Sequence, residues 1–448
     1  MSPQFLAAVV AFLLLSGCDL SNSVAQRPHG ASRVPMGTLV TSAWLPAGID
    51  EFRFSPADQQ LLAEFGLTHI QWLQRAEQDG RTAEALAMAF ASRQGMGLPV
   101  YYEAPGYSPY DKLRNWATKA SVSDTFDAAV SARAQALTAR WAPEPGFAGY
   151  LIGHEDYRAN TYEALGRTVA ALRAADPQRP AYAVGAIGSY QKTVRFLDAF
   201  FVEGGEPNVF QHEHYVFEAD VVQGSSEARR RLDHLVDGYD RVARHLRDRN
   251  GRWHAIVQAH AESRDGVGFY RQPAAAEISV QVGLALSRGA AGIVYFLYSS
   301  GTERVLNGDG DVVQVRQYTG LVDDAGSPTP AWTATRELNQ RLRRLGEELA
   351  DRAFRGGYVA RRAPADEPLA SADEDLDLAF FGDEDRTSHV LVVNRRMDPA
   401  RMAVLEARPG ARLVDVESKV SLVIDDGGQV LLSLAAGGFR LLEVVGEE

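Results

Sequence analysis

Carboxylates and imidazoles follow apolar runs of this sequence, at places where strands of a sheet would end. Residues 149–153 are apolar and glycine-containing, and they lead directly into His154, Glu155 and Asp156. A parallel barrel enzyme delivers a carboxylic acid to its active-site face in this way, at the carboxyl end of a buried strand. Glu155 is therefore the first catalytic candidate. A solvated acidic turn after a buried strand is the alternative interpretation.

Two later runs end in the same kinds of side chain. Residues 211–215 read Gln-His-Glu-His-Tyr, and residues 258–262 read Gln-Ala-His-Ala-Glu. Because side chains alternate along a strand, each run predicts one polar face. The two faces comprise Gln211, Glu213, Tyr215, Gln258, His260 and Glu262.

The chemistry that suits such groups, with aromatic rings at the same strand ends, is the binding and cleavage of sugars. Aromatic faces cover the C–H surface of a sugar ring, and Gln, His and Glu bind its hydroxyls. Hydrolysis needs one protonated carboxyl as acid and one ionised carboxylate as nucleophile or base. We expect Glu155 to be the acid, with Glu213 or Glu262 as its partner. The predicted substrate contacts are Trp44, Tyr102, His154, His214, Tyr215, Gln258, His260 and Tyr298.

A metal site is the competing interpretation of the histidines. His212 and His214 would share a strand face, but no fixed-spacing set such as His-Glu-x-x-His occurs. Neighbouring Gln and Tyr suit sugar hydroxyls better, so we predict no metal. Residues 307–311 begin like a calcium loop but lack its later glycine and acid, and they predict a hairpin turn.

Neither a nucleotide cofactor nor a nucleic-acid partner is expected. No Gly-x-Gly-x-x-Gly follows the first predicted strand, and no phosphate-loop lysine motif occurs. The formal net charge of -12 argues against a general nucleic-acid binder, which needs a basic face. We therefore predict that the protein acts without a cofactor on a carbohydrate substrate.

Apolar runs alternate with amphipathic runs between residues 36 and 353. The pattern contains eight predicted strands, each followed by a predicted helix, which favours a (β/α)8 TIM barrel over an open sheet. From residue 354 to 448 the helices stop, and short strands with turn signals predict a small C-terminal antiparallel β-sandwich. Its predicted strands are residues 357–360, 376–381, 388–394, 412–415, 420–424, 429–434 and 438–445. The predicted barrel strands are residues 38–43, 68–73, 98–103, 147–153, 181–187, 208–215, 253–259 and 292–297.

The first residues predict a lipid-anchored protein of the cell envelope. Residues 5–15 form an apolar run of signal-peptide length, followed by Ser16, Gly17 and Cys18. Residues 1–18 are similar to a lipoprotein signal, whose cleavage before Cys18 leaves a lipid-bearing cysteine. Residues 19–35 read as a flexible tether to a membrane. A plain secretory signal is the alternative. Cys18 is the only cysteine, so no disulfide is expected.

The chain resembles glycoside hydrolases of the clan A type, in the style of family 42 β-galactosidases. Residues 149–156 are similar to the Gly-Tyr-x-x-Gly-Asp-Glu-Pro signature of strand four, which implies that Glu155 is the acid/base. Residues 271–277, 289–298 and 339–349 carry the rest of the resemblance. Three positions depart from the pattern: His154 replaces the usual Asn, Asp156 stands where the signature has Pro, and Gln258 could align with the usual nucleophile.

The sequence therefore predicts a glycoside hydrolase that acts on an envelope or environmental polysaccharide. If Gln258 occupies the place of the nucleophile, the second carboxylate is Glu262, Glu213 or absent. A non-catalytic carbohydrate-binding or scaffold lipoprotein of a polysaccharide export or uptake system is thus the alternative.

Overall fold

The computed structural model describes residues 36–45, 54–71, 77–78, 81–102, 124–154, 159–186, 190–202, 208–247, 251–306, 311–383 and 385–445. All of them belong to one unit, Ala31–Glu448. No helix within these ranges is both long and apolar enough to cross a membrane.

A closed barrel of parallel strands forms the larger part of the fold. Seven strands pair side by side in one sheet, and residues 69–71 fill the remaining position. The Gln71 amide donates to the Ala43 carbonyl at 2.9 Å, and the Ile70 amide donates to the Gly97 carbonyl at 2.8 Å. These bonds join the two sheet edges, so the (β/α)8 prediction is confirmed. Barrel strands 1 and 3 to 8 are Val40–Ala43, Leu98–Tyr101, Phe147–His154, Ala181–Ala186, Val209–Glu213, Arg252–Gln258 and Gly292–Phe296.

Helices follow the barrel strands as the amphipathic runs predict. The first begins with a capping box, in which the Ser55 side chain accepts from the Asp58 amide and Pro56 opens the helix. The described helices are Pro56–Glu64, Ala83–Gln94, Asp124–Trp141, Ala159–Ala175, Tyr190–Val202, Ser226–Arg247, Ala275–Leu286 and Pro330–Leu349, with a short 3-10 turn at Ala360–Arg362.

Alternation along the barrel strands separates two apolar clusters. The outer cluster lies between strands and helices and includes Phe210 and Trp253. The inner cluster fills the barrel and includes Val209, Ile256 and Val294. A residue's place in one cluster or the other therefore shows whether its side chain points outward or into the barrel.

Two hairpins follow barrel strands 7 and 8 and pair into a four-stranded antiparallel sheet, which we call the hairpin sheet. The strands on either side of residues 307–311 pair in antiparallel fashion, but residues 307–310 lie outside the described residues, so the predicted turn itself stays a prediction. The hairpin after strand 7 was not predicted, because its first strand reads as a continuation of strand 7. The strands are Ala261–Arg264, Val267–Tyr270, Gly301–Leu306 and Val312–Thr319, and a separate small pair joins Glu77–Gln78 to Arg81–Thr82.

The C-terminal part is a pair of antiparallel sheets, as predicted. A strand expected at residues 420–424 is wrong: only isolated bridges form there, at Ser421 and Ile424. The Arg401–Ala407 strand was missed. One sheet contains Ala353–Val359, Leu376–Gly382, Thr387–Asn394, Phe439–Val445 and Arg412–Asp415 in that order, and the other contains Leu369–Ala370, Arg401–Ala407 and Gln429–Leu434.

The five-stranded sheet packs directly on the barrel. A Cβ on Gly283 would lie 2.8 Å from the Val393 side chain, so the helix Ala275–Leu286 approaches the sheet closely only because that residue is glycine. Nearby, Arg288 pairs with Asp377 at 2.5 Å, and both side chains are buried. Apolar packing and a buried ion pair thus join the two parts.

Candidate active site

Glu213 is the last residue of barrel strand 6 and lies on its interior face. Val209 belongs to the inner cluster, so alternation directs Gln211 and Glu213 into the barrel. Glu213 is half-buried, and its charge acts on both His260 and Tyr270. We call the carboxyl ends of strands 6, 7 and 8 the mouth. It contains the predicted carboxylate Glu213.

Gln258 ends strand 7 with its whole hydrogen-bonding capacity used. Its Oε1 accepts from the amides of Val216 and Phe217 at 3.1 and 2.9 Å. Its Nε2 donates to the carbonyls of Phe217 and Arg271 at 3.0 and 3.1 Å. Two acceptor and two donor contacts saturate an amide side chain. The expectation that Gln258 binds substrate is therefore wrong: it ties two loops to the strand.

Side chains from the segment after the hairpin hold the same strand end. The Gln281 side chain accepts a hydrogen bond from the backbone amide of Gln258 at 2.9 Å. It donates another to the backbone carbonyl of Gln258 at 3.1 Å. Gln272 donates to the Ala259 carbonyl at 2.8 Å. The fully buried Glu277 accepts two bonds from Arg271, at 2.7 and 2.6 Å. The motif at residues 271–277 thus fixes the position of the mouth.

His260 is fully buried at the mouth, with a defined tautomer. Its Nδ1 lies 2.9 Å from the Phe296 carbonyl oxygen. Because a carbonyl only accepts, Nδ1 carries the proton, and Nε2 is an acceptor in the neutral ring. Among the described residues none hydrogen-bonds to Nε2. Burial lowers the pKa of His260 to about 4, although the Phe296 carbonyl and the Glu213 charge act in the opposite direction.

Aromatic rings surround His260 on several sides. Rings of this type are what the predicted sugar-binding site requires. Tyr215 lies 4.9 Å from the imidazole and stacks on Phe296 at 5.4 Å, measured between ring centroids. Tyr270 and Tyr318 reach the same imidazole from the hairpin sheet, at 5.7 and 6.0 Å. Sequence reasoning missed these two tyrosines, because only the pairing of the hairpins brings them to the mouth.

Two of the four aromatic residues that were predicted to contact substrate lie away from the mouth. Tyr298 packs in the outer cluster, with its ring 5.3 Å from Phe65 and its hydroxyl accepting from Trp332 at 3.3 Å. Tyr102 is also in the outer cluster, and burial raises the pKa of its phenol. Their predicted place at the mouth is wrong. Trp44 belongs to the inner cluster, together with Tyr215 at its edge.

The prediction that Glu262 shares one face of strand 7 with Gln258 and His260 is wrong. Strand 7 ends at Gln258, and Glu262 lies in the hairpin sheet, paired with Tyr270 and Tyr318. Its carboxylate is buried and accepts from Arg264 Nε at 2.6 Å. Glu262 therefore lies in the hairpin sheet rather than on the barrel strand, and the Arg264 guanidinium balances its charge.

His212 and His214 point outward, against the helix Ser226–Arg247. A Cβ on Gly238 of that helix would lie 3.0 Å from His212 and 3.8 Å from His214. Burial lowers the pKa of His214, and the charges of His234 and Arg231 lower it further. Its predicted contact with substrate is thus contradicted by its position. Within the described ranges, no group of three or more His, Cys, Asp or Glu residues is arranged to hold a metal.

Three predicted residues lie wholly or partly outside the described part of the chain. Glu155 and Cys18 are outside it, and His154 is described only as the last residue of strand 4. The acid/base role of Glu155, the sugar contact of His154 and the lipidation of Cys18 stay predictions.

No family model matches the sequence, and a search of curated proteins gives no match. Solved structures do resemble it. The β-galactosidase from Bacillus circulans sp. alkalophilus is 8% identical with a TM-score of 0.57, and the match covers 93% of this chain and all of that chain. The barrel fold is shared. A β-galactosidase from the haloarchaeon Halorubrum lacusprofundi matches at 9% identity and TM-score 0.53, covering 90% and 99% of the two chains.

A family 39 glycoside hydrolase from Bacteroides cellulosilyticus has a TM-score of 0.51 at 10% identity, and the match covers 92% of this chain and 81% of that chain. These likenesses establish a TIM barrel with a following β-domain, the architecture that the sequence predicts.

Proposed function

We propose that the protein is a glycoside hydrolase that acts through a pair of carboxyl groups, Glu155 and Glu213. The observation that carries the proposal is the position of Glu213. It ends strand 6 on the interior face, beside a buried imidazole and several aromatic rings. Such surroundings suit an ionised carboxylate next to a bound sugar.

Comparison of the candidate carboxylates favours Glu213 as the second group. Gln258, the residue that could align with the usual nucleophile, has no carboxylate and no remaining hydrogen-bonding capacity. Glu262 is bound to Arg264 in the hairpin sheet. Glu213 is the predicted candidate that remains on a barrel strand and faces the interior.

The strand register supports the pairing of Glu213 with Glu155. His154 at the end of strand 4 pairs with Val184 of strand 5, and Glu213 pairs with Ala186 of the same strand. Glu155 follows His154 in the sequence. Strand 5 therefore lies between the last residue of strand 4 and Glu213, and the proposed pair requires its two carboxyls to come from these two strands.

Hydrolysis of a panel of aryl glycosides and polysaccharides tests the proposal, with the substrate that the parent cleaves used for every variant. Glu155→Gln and Glu213→Gln should each lower kcat by about 100-fold to 10,000-fold, the usual contribution of a catalytic acid or base. Glu262→Gln should lower kcat much less. Near-parental turnover of a folded Glu213→Gln variant would disprove the pair.

One observation favours a second candidate function, a non-catalytic carbohydrate-binding or scaffold lipoprotein of a polysaccharide export or uptake system. Strand 7 ends in a saturated Gln258 rather than in a carboxylate. In that case the parent would bind saccharides but cleave none of them. Tyr215→Ala should then weaken binding by about 1 to 3 kcal/mol through loss of a buried ring.

The proposed substrate is an envelope or environmental polysaccharide or oligosaccharide, since the proposed location is the cell envelope. Lipid attached to Cys18 would hold the protein on a membrane through residues 19–35. Fractionation of cells that express Cys18→Ala tests the anchor. Recovery of that variant in the membrane pellet at the parental level would rule the anchor out.

A further inference from the structure

A cavity lies at the amino-terminal end of the barrel. We call this end the floor. The cavity has a volume of about 200 Å³ and lies at the opposite end of the strands from the mouth. Its polar lining consists of Thr38, Tyr182, Arg252 and His254. Within the described residues, no aspartate or glutamate lines it. The lining is therefore rich in hydrogen-bond donors and carries positive charge.

His254 is the buried polar group of this cavity. It is 2% exposed and lies on the interior face of strand 7, where branched aliphatic side chains usually fill a barrel. Its Nδ1 has no hydrogen-bond partner among the described residues. A Cβ on Gly292 would lie 2.6 Å from the imidazole Cδ2. The neighbouring strand therefore leaves room for the ring only because it carries glycine there.

Arg252 supplies the charge at the same cavity. Gly37 has a φ of +66°, and a Cβ on it would lie 3.0 Å from a guanidinium nitrogen of Arg252. Burial, together with the charges of the nearby His69 and Arg252, lowers the pKa of His254 to about 3. The imidazole is thus neutral, with one N–H to donate, and the guanidinium remains the cation.

We propose that the floor cavity binds a small oxyanion, either inorganic phosphate or a carboxylate. A planar guanidinium, an imidazole N–H and two hydroxyls offer donors that match oxyanion oxygens. Arg252 is the positively charged side chain of the described lining, and its guanidinium attracts an oxyanion. The unpartnered, deeply buried His254 nitrogen gives the ligand a group to contact inside the barrel.

Thermal unfolding of the protein in the presence of anions tests the site. Melting is followed at constant ionic strength while chloride is replaced by inorganic phosphate in one series and by acetate in another. We expect a saturable rise in Tm of about 2 °C or more with one of the two anions, as for a ligand that binds only the folded state. The series that produces the rise identifies the class of oxyanion.

Variants separate this site from general salt effects. Arg252→Gln and His254→Gln should each abolish the rise. Arg252→Lys, which keeps the charge but not the planar fork, should retain part of it. Arg179→Gln is the matched control: Arg179 lies at the same end of the barrel, where it pairs with Asp176 at 2.9 Å, but it does not line the cavity. Its anion response should equal that of the parent.

Two outcomes overturn the proposal. One is a Tm that does not change saturably with either anion. The other is a rise of parental size that survives in both Arg252→Gln and His254→Gln, or in His254→Gln if Arg252→Gln does not fold. Because Glu213 lies at the opposite end of the barrel from the floor, neither outcome bears on the proposed glycoside hydrolysis.

Discussion

Two buried histidines lie at opposite ends of the barrel, one on strand 7 and one just after it. The charged groups around the two rings are opposite in sign. His260 at the mouth lies near the Glu213 carboxylate and is bonded through Nδ1 to the Phe296 carbonyl. His254 at the floor lies near the cationic Arg252 and a second imidazole, His69. Both rings are buried and neutral, but the mouth carries acidic groups, whereas the floor carries basic ones.

The comparison shows that burial and ligand chemistry are separate properties. Burial lowers the pKa of both imidazoles in the same direction. Which molecule each end suits depends instead on the neighbouring charge, with a neutral sugar expected beside Glu213 and an anion beside Arg252.

Acid should destabilise the fold through both histidines. In the unfolded chain each imidazole takes up a proton near pH 6.5, but in the folded state only near pH 4 for His260 and pH 3 for His254. Between pH 6.5 and 4 the unfolded state binds more protons, so lowering the pH favours unfolding. Each histidine should remove about 1.4 kcal/mol of unfolding free energy per pH unit.

Urea unfolding at several pH values measures this loss. His254→Asn and His260→Asn should each flatten the pH dependence by the contribution of one proton. If both variants keep the parental slope, the two imidazoles are not neutral in the folded state.

Gln258→Glu should destabilise the mouth by about 3 kcal/mol. A carboxylate would still accept from Val216 and Phe217, but the carbonyls of Phe217 and Arg271 would lose their donor and face a like charge. Chemical denaturation measures the change. Gln317→Glu on the exposed hairpin sheet is the control, with a change near zero. A neutral effect of Gln258→Glu would mean that a nucleophile could be installed there without cost.

Gly292→Ala should destabilise the floor by about 2 kcal/mol, because the added methyl group would meet the His254 ring at 2.6 Å. Gly268→Ala beside the mouth is the matched control, since its Cβ would lie 3.3 Å from Ala219. Comparison of the two melting curves checks the difference. Equal stability of the two variants would show that His254 does not occupy the space next to strand 8.

Tyr298→Phe should have the smallest effect, a loss of about 1 kcal/mol from the bond that Trp332 donates. Because Tyr298 lies outside the barrel interior, KM for any cleaved glycoside should stay at the parental value. Tyr215→Phe at the mouth provides the contrast. A raised KM for Tyr298→Phe alone would return this residue to the substrate site.

The barrel strands and helices could be predicted from the sequence because their apolar periods are long and regular. The site was less predictable. Gln258 and Glu262 are four residues apart in one apparently continuous strand, yet the strand ends between them and turns into a hairpin. Tyr102 shares the outward face of Leu98 and Val100, and its place at a strand end alone did not reveal that face. Alternation breaks at Leu297, which belongs to the inner cluster, so Tyr298 points outward.

Hydrogen-bond saturation was also invisible to sequence reasoning. The partners of Gln258 lie at residues 216, 217 and 271, and no local pattern indicates that these backbone groups converge on one amide. The polar floor was missed for a related reason, since only the closed barrel brings Arg252 and Thr38 to one cavity.

The close contact at Gly283 has a consequence for the order in which the chain is made. Phe439, on the last described strand, packs against this glycine, and that strand lies between Thr387–Asn394 and Arg412–Asp415 in its sheet. During synthesis from the amino terminus, the helix Ala275–Leu286 is therefore made well before the strand that packs on Gly283. A nascent chain stopped before Phe439 leaves this part of the helix face uncovered by that strand, so the packing of the helix is completed by a segment made much later.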